Sequence, residues 1–151
     1  MARVKRIIYP PVWLAIGIIL QFVCNEYFPG ARFATVEGQV IGGVILVIGL
    51  VLLVVAGGLF KQADTDLIPF KDVSALVTTG VYRFTRNPMY LGMALVLLAC
   101  AVTVGSATPF IVPPVFMLII HFRFILPEEK MLREIFPEEF PTYCRKVRRW
   151  I

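Results

Sequence analysis

Residues able to do chemistry gather in two short stretches of this 151-residue chain. The first runs Gly80-Val81-Tyr82-Arg83-Phe84-Thr85-Arg86-Asn87-Pro88-Met89-Tyr90. Asn87 before Pro88 predicts a helix start, because asparagine caps free backbone N–H groups and proline at the first helical position loses no hydrogen bond. The first-turn amides and the positive end of the helix dipole suit a carboxylate or phosphate, and Arg86 adds a fixed cation just before them. The second stretch is Pro127-Glu128-Glu129, which reads as another helix start. Ionised carboxylates only accept hydrogen bonds, so this pair suits a ligand amine or a sugar hydroxyl. A zwitterionic ligand fits between the two stretches. The same residues also serve a plainer purpose, with Tyr82, Arg86 and Tyr90 as an interfacial belt and the two glutamates stabilising a helix N-terminus.

Other chemistries are excluded or left open by the remaining polar residues. His121 is the only histidine, which rules out a histidine metal cluster, and Cys24, Cys100 and Cys144 are too scattered for a disulfide framework or zinc site. No glycine-rich dinucleotide or phosphate loop is present, nor a His-Glu-x-x-His metal motif. His121 and Arg123 close an apolar stretch, where polar side chains are costly, yet Arg123 lies within snorkelling reach of headgroups.

The elements that must position these residues follow from composition. With 58% hydrophobic and 17% charged residues, the chain holds more apolar surface than one small soluble core can hide. Uninterrupted apolar stretches at 7–24, 38–60, 89–106 and 110–126 each approach the length of a bilayer-crossing helix. The expectation is an all-α integral membrane protein, one domain over 1–151, with four transmembrane helices and both termini cytoplasmic. A cytoplasmic loop at 61–88 and a tail at 127–151 carry the polar residues. In that orientation every basic residue except Arg32 falls on the inner side, so topology and anionic lipid account for the net charge of +5 without nucleic acid. The first stretch lacks a small-x-small cleavage site and reads as a retained helix. Gly38 and Gly42 form a small-xxx-small pair, and Gly42 and Gly49 share a face that lets a neighbouring helix approach. In the tail, Phe136, Phe140, Tyr143, Val147 and Trp150 recur at steps of four and three among basic residues. This predicts an amphipathic segment, interrupted near Pro137 and Pro141, that either lies on the inner leaflet or folds back as a lid.

Three motifs in order carry a family resemblance: Ala75-Leu76-Val77-Thr78-Thr79-Gly80-Val81-Tyr82, then Arg86-Asn87-Pro88-Met89-Tyr90-Leu91-Gly92, then Pro127-Glu128-Glu129-Lys130-Met131-Leu132 with the later Phe136 and Tyr143. The chain resembles the membrane methyltransferases that include isoprenylcysteine carboxyl methyltransferases, phospholipid N-methyltransferases and their small bacterial relatives. The resemblance implies S-adenosylmethionine as cofactor, bound without a Rossmann domain, and methyl transfer to a lipidic or hydrophobic acceptor. It places the cofactor at Ser74, Ala75, Leu76, Val77, Tyr82, Asn87, Pro88, Met89, Tyr90, Glu128 and Glu129, and catalysis at Arg86, Asn87, Tyr90 and Arg123. Many members carry histidine where this chain has Asn87, and asparagine cannot titrate near neutral pH, which favours acceptors already deprotonated. The substrate arginine of the carboxyl methyltransferases falls on Phe124, with Arg123 beside it. A bacterial inner membrane with a cytoplasmic site is the location implied. Membrane sterol reductases share an Arg-x-Pro-x-Tyr region like Arg86 to Tyr90, so an NADPH-dependent reductase is the alternative enzyme, and a non-catalytic membrane scaffold the alternative to an enzyme.

Overall fold

The computed structural model describes residues 9–63 and 75–151, and among these the chain is helical throughout apart from its connections. Helix α1 spans Pro10–Tyr27, α2 Val36–Gln62 and α3 Pro88–Val104, followed by α4 Val112–Ile120, α5 Leu126–Ile135 and α6 Glu139–Lys146. Short 3-10 turns at Gly80–Arg83 and Thr108–Ile111 precede α3 and α4. The run Thr108–Ile135 is a single rod, and it and Val36–Gln62 are long and apolar enough to cross a membrane. Helix α3 is apolar but shorter, at 17 residues.

Local chemistry explains the ends. Pro10 and Pro11 open α1, where no backbone N–H is needed. Thr35 caps α2 by accepting from the Gly38 N–H at 3.0 Å, with Glu37 in the first turn and Lys61 in the last, both matched to the helix dipole. Gly105 ends α3 at φ 66, and a Cβ there would lie 2.5 Å from Ala34 Cα, so only glycine fits.

Helix α2 packs closely on α3 through Gly42, Gly49 and Ala56, its three buried residues, spaced seven apart. A Cβ on Gly49 would sit 3.0 Å from the Gly92 carbonyl, so the two backbones nearly touch, as small residues allow. The opposite face of α2 exposes Val40, Val44, Val47, Val51 and Val54. With no charge between 38 and 60, that stripe is matched to hydrocarbon and mismatched to water. Away from the polar stretches, buried Gln21 donates to the Leu97 and Pro109 carbonyls, and Ser106 donates to Asn25 at 2.9 Å, pinning α1 against α3 and the turn that follows it.

Two expectations about proline are corrected. Pro127 does not begin a helix: residues His121–Ile125 form a π turn joining α4 to α5, with the Leu126 N–H bonded to the His121 carbonyl. Proline's ring collides with the carbonyl four residues back in a regular helix, and the widened turn relieves that collision. Pro141 does not interrupt the tail either, because it lies in the first turn of α6, where donors are not required; the break falls at 136–138.

The tail folds back over the protein. Phe140, Tyr143 and Val147 are buried in a cluster with Ala56 and Tyr82, and the Tyr143 hydroxyl donates to the Tyr82 carbonyl at 2.6 Å. Burying Phe140 alone contributes about 1.5–3 kcal/mol. A second cluster of Tyr90, Met93, Leu97, Phe116, Ile120 and Phe124 forms the helix core, with Trp13 and Trp150 against it.

Candidate functional site

Between the start of α3, helix α5, α6 and the start of α1 lies a cavity of about 430 Å³. Ala75, Leu76 and Val77 form one wall; Tyr82, Arg86, Asn87, Pro88, Met89 and Tyr90 form the floor from the 3-10 turn into α3; Glu128 and Glu129 come from α5. Phe140 and Tyr143 close it from the tail, and Tyr9, Pro10 and Pro11 reach it from α1. Ser74 lies outside the described residues.

The two glutamates have different surroundings although they are adjacent. The Tyr90 hydroxyl donates to Glu128 Oε1 at 2.6 Å. Glu129 is 7% exposed and fully engaged. Arg149 Nε and Nη2 donate to its two oxygens at 2.8 and 2.7 Å, and Arg86 Nη2 stands 3.1 Å from Oε1. This forked pairing is the strong form of a carboxylate–guanidinium contact. Both acids lie beyond Leu126, on the polar continuation of the rod. Burial pushes the Glu128 carboxyl up to about 7, with the Glu129 charge adding to it and the Tyr90 hydrogen bond opposing it. Burial acts upward on Glu129 too, but the Arg149 hydrogen bonds and the Arg86 and Arg149 charges outweigh it and hold that carboxyl below its ordinary range. Burial also raises Tyr82 well above the ordinary phenol value.

Arg86 lines the cavity, and its Nε is buried without a hydrogen-bond partner among the described residues. An unpaired buried donor of this kind costs free energy.

Asn87 corrects one expectation. It stands at the N-cap of α3, its carbonyl accepting from the Leu91 N–H at 2.9 Å, but its side chain caps nothing. The amide Nδ2 instead donates to the Arg149 carbonyl at 2.9 Å, while Thr85 Oγ1 accepts from the Asn87 N–H. Arg123 is not brought to the cavity: its guanidinium lies 5.9 Å above the Trp13 ring on the outer surface, and the neighbouring Phe124 is buried against Tyr90. The expectation that Arg123 joins the reacting groups therefore has no geometric support, since its helix position points it away from Glu128. His121 meets Phe122 edge-on and also stays outside.

Arg149 was not singled out from the sequence, because four basic residues crowd positions 145–149 and nothing local distinguishes one. Tyr9, Phe60 and Met93 also line the cavity without a sequence signal beyond their apolarity, whereas Met131 and Leu132 belong to the third motif. Phe140 and Tyr143 were visible as part of the tail stripe. Among the described residues, no group of three His, Cys, Asp or Glu side chains is arranged to hold a metal.

A helical protein with a lipid-matched surface and a mostly apolar cavity that carries a few charged groups at the foot of its helices is suited to chemistry on membrane-borne molecules. A family model described as phospholipid methyltransferase matches residues 38–139. The chain belongs to that family of membrane methyltransferases, the one that its three motifs resemble. An uncharacterized protein of Haemophilus influenzae is 36% identical over 63 residues, covering 42% of this chain and all of that protein.

Proposed function

We propose that this protein is an S-adenosylmethionine-dependent methyltransferase acting on a lipidic or hydrophobic acceptor at the cytoplasmic membrane face. The observation that carries the reading is one cavity lined by both a guanidinium, Arg86, and a carboxylate acceptor, Glu128. The residues fit the cofactor. A methionine carboxylate suits Arg86 and the start of α3, and an ammonium or ribose hydroxyl suits Glu128. The cavity volume lies within the roughly 300–1,000 Å³ usual for small-molecule sites. Bound there, the cofactor supplies a sulfonium-activated methyl group for in-line displacement.

The chain's own residues align, hold and dry the site. Tyr90 fixes Glu128 by its 2.6 Å hydrogen bond. Met89, Met93, Leu132 and Phe140 exclude water from one side. Asn87, committed to the Arg149 carbonyl, takes no proton, which suits an acceptor that attacks without losing one, such as a carboxylate or thiolate. Four crossings with both termini inside a bacterial inner membrane complete the proposal, supported by the distribution of basic residues and the lipid-matched face of α2.

The test is S-adenosylhomocysteine binding by the purified protein in detergent, wild type against Glu128→Ala and Tyr90→Ala. Wild-type binding that weakens roughly tenfold or more in both variants is expected. Equal affinity in all three removes the site assignment, and absence of binding removes the function. Mass spectrometry of lipids and thiols after overexpression then identifies the acceptor by its gain of a methylene unit.

A further inference from the structure

We propose that Arg149 is a positioning residue of the cofactor site: its guanidinium holds the Glu129 charge so that Glu128 and Arg86, which line the cavity, stay available to a ligand. The proposal rests on the cofactor cavity described above. Arg149 itself does not line that cavity.

The tail segment carrying Arg149 is strapped to the loop that leads into α3. The Arg148 carbonyl accepts from the Arg86 N–H at 3.0 Å, and the Arg149 carbonyl accepts from Thr85 Oγ1 at 3.3 Å and Asn87 Nδ2 at 2.9 Å. Three consecutive residues, Thr85 to Asn87, are thereby fixed by two consecutive tail residues. Val147 on one side is buried under Tyr82, and Trp150 on the other packs on the cluster containing Tyr90. These contacts use backbone atoms of 148 and 149, so the strap does not account for the Arg149 side chain. That side chain is spent on Glu129 alone, through both oxygens.

The charges explain why. The two arginines, Arg86 and Arg149, both sit on Glu129, and neither meets Glu128. Glu128 is faced by Tyr90 from α3, Tyr82 from the 3-10 turn and Glu129 on its own helix, while Glu129 is faced by Arg86, Arg149 and Arg133. Without Arg149, Glu129 keeps Arg86 as its main partner. Its less compensated charge then opposes ionisation of Glu128 and draws the Arg86 fork further toward itself. Both Glu128 and Arg86 are then less available to a ligand.

The experiment measures S-adenosylhomocysteine affinity in detergent from about pH 5.5 to 9. Arg149→Gln is expected to bind roughly tenfold more weakly at pH 7 and to shift the midpoint of the profile to higher pH. Glu129→Gln with Arg149→Gln, which removes both charges, is expected to restore affinity and midpoint. Arg149→Lys keeps the charge without the fork and is expected to retain the midpoint, so these two variants decide the matter if Arg149→Gln does not survive purification. Arg145→Gln, an exposed tail charge bonded to Thr142, controls for net charge and is expected to match wild type. A Gln variant with an unmoved midpoint, or a double variant that binds no better than the single one, overturns the proposal. Failure of the wild type to bind at all overturns the functional reading instead.

Discussion

Glu128 and Glu129 share a sequence context but not a job. Nothing in Pro127-Glu128-Glu129 tells which acid meets a tyrosine and which meets two arginines, because one step along a helix turns a side chain by roughly 100° and the partners, Tyr90, Arg86 and Arg149, lie far off in the chain. Arg86, Asn87 and Tyr90 were legible as a polar helix start, whereas the side-chain partner of Asn87 was not. Glu128 yields a pH prediction. Its carboxyl is pushed up to about 7, and only the ionised form is a pure acceptor, so S-adenosylhomocysteine affinity is expected to rise from pH 6 to 8 and then level off. A flat profile for wild type, or an unchanged one for Glu128→Gln, would count against it. Stability runs the other way. A folded pKa above the ordinary 4.5 means the native state holds the proton more tightly, so the contribution of this group is full below that value and lost as pH rises through about 7. Glu128→Gln without ligand is therefore expected to melt on the order of 10 °C above wild type at pH 8 and level with it at about pH 4.

The helix pairing was legible in outline: Gly42 and Gly49 share a face, and that face meets α3. Ala56, one further step of seven along α2, and Gly92 on α3 complete the contact. The rod Thr108–Ile135 was misread as two pieces, since a proline followed by two acids looks like a start and a π turn has no compact sequence signature. Gly49→Leu drives a side chain into the Gly92 carbonyl and Leu95, and is expected to cost about 1–3 kcal/mol in thermal melts in detergent. Gly43→Leu is the matched control, with nothing within 4 Å of its Cβ, and is expected to melt like wild type. Equal melting of the two would mean that α2 and α3 do not pack as described.

For the whole molecule, the apolar stretches and the asymmetry of basic residues made an all-helical, membrane-matched chain readable from composition. The folding of the tail onto the loop was open between two outcomes, because an amphipathic stripe is equally satisfied by lipid or by protein. Topology is testable with cysteines placed on a background lacking the native three. Phe28 is 73% exposed and Phe84 is 79% exposed, at opposite ends of the helices. An impermeant maleimide applied to intact cells is expected to label Phe28→Cys and to reach Phe84→Cys only after lysis. The reverse pattern would invert the proposed orientation and put the cavity outside.

The π turn at His121–Ile125 sets which acid meets which partner. A widened turn takes up one surplus residue, so in regular α geometry everything beyond Ile125 would be wound on by roughly 100° and neither glutamate would keep its partner. Chains of this kind can therefore lose a residue there without disturbing the carboxylates, provided the turn tightens to ordinary pitch. The same deletion made after Leu126 would bring Glu129 round to the tyrosine.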